Sequence, residues 1–195
     1  MALFGRKSYK TLTDLVVGCQ QQQPRAQRVF YERYQTRMLG VCVRYARTVA
    51  EAEDIFQEAF LKVFAHINEL TKPESADSWV KAVVVRTAIN YYHRITLPQE
   101  HLASYEAIHE PPASDEHLER LAGYDQEALL ALLARLPDSY RLVVNLYLIE
   151  GYTHAEIAAL LLIPEATVRS RFSRARQLLV NFINQHGIQR NEFLG

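Results

Sequence analysis

The sequence has no run of about 18 apolar residues, so it predicts no transmembrane helix. Its first ten residues, MALFGRKSYK, have neither an apolar core nor a small-residue cleavage pattern, so no secretory signal peptide is expected. Cysteine is scarce, and Cys19 and Cys42 do not form a spacing typical of metal ligands. These absences favour a cytoplasmic protein with buried free thiols.

Glycine and proline are also few, at seven each, and they gather between apolar stretches of helical period. Alternating strands with Asn-Gly turns are absent. The sequence therefore predicts an all-α fold. The expected helices cover residues 11–20, 25–47, 51–68, 77–95, 125–135, 138–149, 153–161 and 165–184.

A strand competes with a helix in residues 79–94, WVKAVVVRTAINYYHR, because three consecutive valines favour β structure. Apolar residues repeat at helical spacing from Trp79 to Tyr92, however, and together they form one stripe. We therefore interpret this segment as a helix.

Residues 97–124 differ from the rest, since they contain three prolines, are acidic and have no sustained apolar stripe. This composition is typical of a linker. We therefore expect two helical domains joined by an acidic, proline-containing linker. The expected parts are an N-terminal helical bundle (1–95), the linker (96–124), a C-terminal helix-turn-helix domain (125–186) and a tail (187–195).

Net charge is absent, because 22 Lys and Arg balance 22 Asp and Glu, yet the two signs are segregated. Residues 1–47 carry nine basic and two acidic groups, whereas residues 96–126 carry one and seven. Residues 81–95 and 165–176 are basic again. Basic blocks favour a polyanionic partner, although charge blocks are also typical of solvated faces.

The C-terminal helical pair has the pattern of a helix-turn-helix. In the helix from residue 165, four residues share one face and form the expected core: Val168, Phe172, Ala175 and Leu179. Short polar side chains and arginines occupy the rest of the helix surface, which suits a helix in the DNA major groove. Arg174 is expected to face outward, with Arg169 and Arg176 on one shoulder of that face. A plain helical hairpin with a solvated arginine face is the alternative.

Leu162 stands where a sharp turn favours glycine, and either a left-handed leucine or another turn shape is expected there.

The stretch from 136 to 179 closely resembles region 4, the C-terminal DNA-binding domain, of bacterial extracytoplasmic-function (ECF) sigma factors. The matching residues include Leu136-Pro137, Glu150-Gly151-Tyr152, Glu156-Ile157-Ala158 and Thr167-Val168-Arg169-Ser170-Arg171. Because LuxR-type regulators share some of these, a stand-alone helix-turn-helix regulator is the alternative. The expected region 4 DNA contacts are Thr167, Arg169, Ser170, Arg171, Ser173, Arg174 and Gln177.

Residues 50–67, AEAEDIFQEAFLKVFAHI, resemble the polymerase-binding helix of the same family, region 2.2. A wide apolar stripe is expected to be buried, and a second face at i, i+3, i+4 and i+7 remains outside. That outer face would bind core RNA polymerase, and its residues are Asp54, Gln57, Glu58 and Leu61.

Residues 78–94 resemble regions 2.3 and 2.4, the part of the family that melts the promoter and reads the upstream hexamer, which is the hexamer nearer the start site. No acidic residue lies between 81 and 95. The expected contacts to the hexamer nearer the start site are Lys81, Arg86, Asn90, His93 and Arg94. The loop 68–78 lies where the family captures an unpaired base. Departures from the family pattern include Val85, Asn90, Leu162 and Ala166, so promoter preference does not follow from the resemblance.

The resemblance implies a bacterial, cytoplasmic sigma factor that binds core RNA polymerase and promoter DNA, both double-stranded and melted. Sigma factors of this type are held by an anti-sigma factor, which is an expected further partner. Two His/Glu pairs, His66 with Glu69 and Glu106 with His109, are isolated and match no complete metal motif. We therefore expect no enzyme activity, no cofactor and no metal site.

Overall fold

The computed structural model describes residues 9–96, 98 and 131–186, and its contacts divide the chain into two compact units after Ala88. All regular structure within those ranges is helical, as predicted. The expected linker lies outside the described residues apart from Thr96 and Pro98, as do the tail 187–195 and most of the expected helix 125–135. None of the helices that can be described has the length and apolar character needed to cross a membrane.

The described residues of the first unit form α1 (Leu12–Gln20), α2 (Pro24–Val43), α3 (Val49–His66) and most of a fourth helix. Two 3-10 turns, Ile67–Glu69 and Pro73–Ser75, connect α3 to α4 (Ala76–Tyr91), and α4 continues as a π turn over Tyr92–Thr96. The segment with three valines is therefore helical. α2 ends four residues earlier than predicted, because the amides of Arg44 and Tyr45 bond to carbonyls three residues back and tighten the last turn.

The helix starts follow from local chemistry. Thr11 and Asp14 form a reciprocal capping box at α1, and the Thr48 hydroxyl accepts the Glu51 amide at α3. Pro24 occupies the first turn of α2, where its missing N–H costs nothing. These residues set where each helix begins.

The core of the first unit is aromatic and lies between α2 and α3. The Phe30 and Tyr34 rings are tilted by 45° with centroids 4.7 Å apart, and the Phe56 and Phe60 ring centroids are 4.6 Å apart. The joint between α1 and α2 is tight, since a Cβ on Gly18 would lie 2.7 Å from the Cβ of Ala26. Only glycine fits there.

Both cysteines are buried free thiols in this core, as expected. Burial raises the pKa of Cys19 to about 11 and that of Cys42 to about 12. Over the part of the chain that the structure describes, no group of His, Cys, Asp and Glu could hold a metal ion.

The second unit contains α5 (Asp138–Val144), a π turn (Asn145–Ile149), α6 (His154–Leu161) and α7 (Glu165–His186). Thr153 and Glu156 form the capping box of α6, and the Thr153 amide holds the pKa of the Glu156 carboxyl below its usual value. α7 packs against α5 and α6. Its buried residues include the four predicted ones, Val168, Phe172, Ala175 and Leu179, and also Arg176.

Candidate protein and nucleic-acid interfaces

α3 has two faces with different chemistry. Its inner face is buried and carries Ile55, Phe56, Ala59, Phe60 and Val63, as the stripe predicted, although Phe64 is only half-buried. On the outer face Asp54 and Gln57 are exposed and Glu58 is half-buried. Leu61 has 73% of its surface exposed, which is unusual for a large apolar residue in a well-formed helix.

Two side chains of this outer face are held in place by neighbours. The Gln57 amide donates to the Tyr31 hydroxyl at 3.3 Å, and Lys62 donates to the Glu58 carboxylate at 2.8 Å. The four predicted residues lie on one side of α3, and two of them are held by side-chain hydrogen bonds. They combine negative charge with a projecting apolar side chain, which suits docking onto a basic, apolar-lined partner.

On α4, the structure exposes most of the predicted basic face. Arg86 and Asn90 are exposed on successive turns, and Arg94 follows in the π turn. The Arg94 guanidinium lies 5.8 Å from the centre of the Tyr91 ring, so a cation and an aromatic face are held together. Lys81 is half-buried.

His93 departs from the α-helical spacing that placed it on this face. It lies in the π turn, where hydrogen bonds span five residues, so the register of the α-helix no longer applies. His93 is half-buried, and its ring meets the buried Tyr92 ring edge-on at 5.7 Å. Arg86, Asn90 and Arg94 thus form the open part of the face.

The α4 core stripe is wider than predicted. Val80, Val84, Thr87 and Ala88 are buried as expected, but Val85 and Ile89 are buried too. Trp79, Val83 and Tyr91 are half-buried instead. The helix is therefore covered on more than one side, and its exposed polar surface is confined to a narrow strip.

Segment 67–77, which connects α3 to α4 and includes the first two residues of α4, is tied down by residues that sequence analysis missed. The Gln20 side-chain amide donates to the carbonyls of Ile67 at 3.2 Å and Leu70 at 3.1 Å. At the end of the segment, the Tyr34 hydroxyl donates to Oδ1 of Asp77 at 2.6 Å. These partners are more than 40 residues apart in the chain, so local pattern carried no signal of them.

The helix-turn-helix geometry is present in α6 and α7. Leu162 ends α6 in the left-handed conformation, with φ 54° and ψ 40°, and 86% of its surface is exposed. Its amide and that of Ile163 both donate to the Ala158 carbonyl, which closes the helix end. Of the two expected outcomes, the structure has the left-handed leucine.

The predicted DNA-facing residues of α7 differ in exposure. Arg169 and Ser170 are exposed, and Arg169 pairs with Glu165 one turn earlier. The other five, Thr167, Arg171, Ser173, Arg174 and Gln177, are half-buried. Of the seven predicted DNA contacts, Arg169 and Ser170 are therefore the most open.

Arg176 was expected on the shoulder of this face, and that placement is wrong. It is only 4% exposed, because it lies about 80° from Val168 around the helix axis and so borders the buried face. A long arginine stem can cover apolar surface from that position. Arg174, predicted to face straight outward, lies about 120° from Val168 and is half-covered.

Two family models match the chain: Sigma-70 region 2 over residues 30–96, and Sigma-70, region 4 over residues 126–179. The ECF RNA polymerase sigma-E factor of Haemophilus influenzae is 28% identical over 182 residues, covering 88% of this chain and 96% of that protein. A Xanthomonas campestris protein named "Probable RNA polymerase sigma factor RfaY" is 28% identical over 89% of this chain, which spans 43% of that longer protein. The solved structure of CnrH in complex with the cytosolic domain of CnrY is 17% identical, with TM-score 0.46, and the match covers 88% of this chain and 96% of that chain.

Proposed function

The chain belongs to the sigma-70 family of RNA polymerase sigma factors, in its extracytoplasmic-function branch, and from this membership we propose that it binds core RNA polymerase and directs promoter-specific initiation. The single observation that carries the proposal is the occurrence of both region 2 and region 4 in one chain. A stand-alone regulator would need only region 4. Region 2 and region 4 are assigned different tasks.

Binding to core RNA polymerase is assigned to the outer face of α3. Asp54, Gln57, Glu58 and Leu61 share that face, and the exposed Leu61 has a physical reason to be there if a partner covers it. Carboxylates around an apolar contact give both steering and affinity to a basic partner. The family resemblance implies that this partner is the clamp helices of the largest polymerase subunit.

Melting and reading of the hexamer nearer the start site are assigned to residues 68–94. Arg86 and Arg94 can neutralise phosphates, and the exposed Asn90 amide can donate to and accept from a base edge. Lys81 and His93, which are half-buried, are placed beside this strip as secondary contacts. The segment between α3 and α4 is the proposed receiver of an unpaired base.

Reading of the farther hexamer is assigned to α7. Arg169 and Ser170 at its exposed N-terminal end would meet the groove first, and Thr167, Arg171, Ser173, Arg174 and Gln177 would follow. Arginine forks on guanine and hydroxyls on phosphate are the expected contacts. This is the arrangement by which a recognition helix reads duplex DNA.

We also propose a cytoplasmic location and an anti-sigma partner, as the family resemblance implies. No catalytic activity is proposed for the chain. Transcription would then depend on release of this factor from its partner. The chemistry of RNA synthesis belongs to the polymerase.

In-vitro transcription with purified core RNA polymerase tests the proposal. Promoter fragments are first selected from a random-sequence duplex pool by binding to the complex of this chain with core enzyme. We expect initiation from the selected fragments only when both proteins are present. Promoter binding that is equally tight without core enzyme, together with no initiation, would establish the stand-alone regulator instead.

A further inference from the structure

The segment from Ile67 to Asp77 is held from outside by two other helices of its unit. At one end, the single amide group of Gln20, the last residue of α1, donates to two backbone carbonyls of the segment. α1 also packs against both 3-10 turns of the segment. α1 thus forms a support under the connection between α3 and α4.

At the other end, α2 holds the start of α4. The hydroxyl of the buried Tyr34 donates to Asp77, and the Arg37 guanidinium lies 3.3 Å from the same carboxylate. Arg37 also covers the Tyr34 ring, 5.6 Å from its centre. The hydrogen bond and the cation keep the Asp77 side chain against α2.

Between these two anchors the backbone is already turned and tied. Ile67, Leu70 and Ala76 are buried, which fixes three points of the segment in the core. The Ser75 amide and hydroxyl both donate to the Lys72 carbonyl, at 2.9 and 2.7 Å. Asn68, Thr71 and Lys72 remain exposed on the outside of this tied backbone.

This arrangement matters for the energetics of base capture. Extruding a base from a duplex costs a few kcal/mol, which contacts in the receiving site must offset. A receiving segment that had to become ordered at the same moment would lose part of that contact energy to conformational entropy. A segment that α1 and α2 have already ordered loses less of that contact energy.

We propose that Gln20 and Tyr34 are positioning residues that hold segment 67–77 in the shape that receives an unpaired base of the melted promoter strand. The inference rests on the proposed function. The region 2 match begins at residue 30, so it assigns no role to α1. Neither residue touches the DNA in this scheme, and both act through the backbone of the segment.

The test compares variants of the full chain assembled with core RNA polymerase. Gln20→Met keeps the length of the side chain and removes both hydrogen bonds, whereas Gln20→Lys keeps a donor. Tyr34→Phe removes only the hydroxyl at the other anchor. Tyr9→Phe is the matched control, because its hydroxyl bonds Gln23 at 3.0 Å, away from the segment.

Three affinities are measured for each complex: for core enzyme, for a duplex carrying only the farther hexamer, and for a single-stranded non-template oligonucleotide. The oligonucleotide comes from a selected fragment that supports initiation with the unaltered chain. We expect Gln20→Met and Tyr34→Phe to weaken single-strand binding about tenfold, roughly the value of one or two net hydrogen bonds. The other two affinities should stay within about twofold, since the contacts that carry them are unchanged.

Gln20→Lys and Tyr9→Phe should bind the single strand like the unaltered chain. Unchanged single-strand binding by both Gln20→Met and Tyr34→Phe would overturn the proposal. Parallel loss of all three affinities would also overturn it, because it would mean a general structural role. Failure of the unaltered chain to initiate with core enzyme would instead reject the proposed function.

Discussion

The Tyr34 hydroxyl on α2 lies 2.6 Å from Oδ1 of Asp77 at the start of α4, and each group changes the acidity of the other. Burial, together with the bond to Asp77, raises the pKa of Tyr34 to about 12. The same bond, with help from Arg37, holds the pKa of the Asp77 carboxyl below its usual value. The pair is therefore complete only when the phenol is protonated and the carboxyl is ionised.

The directions of these two pKa shifts define the pH range over which the Tyr34–Asp77 hydrogen bond stabilises the fold. Because the pKa of Tyr34 is raised above the unfolded value of about 10, its contribution is fully present below pH 10 and is lost as pH rises through about 12. Because the pKa of Asp77 is lowered, its contribution is present above its unfolded pKa and is lost as pH falls through the folded value. Absorbance titration of the unaltered chain minus that of Tyr34→Phe should show one tyrosine ionising near pH 12. A difference centred near pH 10 would contradict the burial of Tyr34 and its hydrogen bond to Asp77.

Charge reversal on α3 should separate binding from folding. Asp54→Lys with Glu58→Lys is expected to abolish binding to core RNA polymerase, because it places cations on a face proposed to meet a basic partner. Both residues are outside the core, so the helical circular dichroism should be retained. The matched control is Glu32→Lys with Glu74→Lys, which changes the net charge equally at exposed positions outside α3. Retained binding by the first pair, measured by native co-purification, would refute the assignment of the face.

On α7, Arg174→Ala should weaken recognition of the farther hexamer by about 1–3 kcal/mol and relax its sequence specificity. Arg174→Lys keeps the charge but loses the fork that pairs with guanine, so it should lose specificity more than affinity. Arg28→Ala, which removes an exposed arginine from α2, is the control for charge alone. Fluorescence anisotropy against the selected duplex and a scrambled one measures both quantities. Unchanged affinity and specificity in Arg174→Ala would remove this residue from the interface.

Leu162→Gly should stabilise the second unit by about 1 kcal/mol, because glycine adopts the left-handed conformation without the steric cost that leucine incurs. The leucine side chain is almost fully exposed, so little burial is lost. Leu162→Ala is the control, since alanine keeps a Cβ and should bring no such gain. Urea unfolding followed by circular dichroism measures the difference. A destabilised glycine variant would mean that the Leu162 side chain makes stabilising contacts.

Regular helices with one buried face were the part of this fold that sequence could predict. The α7 face of Val168, Phe172, Ala175 and Leu179 follows from a rotation of 100° per residue, which holds wherever the helix is undistorted. That rotation changes in the π turn at His93, and it does not decide burial where a residue borders the buried face, as at Arg176. Burial at such an edge depends on what packs alongside, which a single helix does not contain.

Tertiary hydrogen bonds lay beyond sequence patterns for a different reason. Gln20 is one of four consecutive glutamines, and nothing in that run distinguishes it from the other three. Its role comes from its hydrogen bonds to carbonyls 47 and 50 residues away. These carbonyls lie near Gln20 because α1 packs against the turns that follow α3. Leu162 lies between these two cases. The sequence indicated that a leucine is unusual at this turn, but only the backbone angles show that it is left-handed.

The described part of the chain contains two π turns, Tyr92–Thr96 and Asn145–Ile149, and these bear on how the length of the chain can change in evolution. A π turn holds one residue more than an α turn, because its hydrogen bonds span five residues instead of four. Loss of a single codon within either stretch could be absorbed by conversion to an α turn, while the helix continues. These are the places where relatives of this chain should differ by one-residue gaps, and alignments across them should be set by the hydrogen-bond pattern.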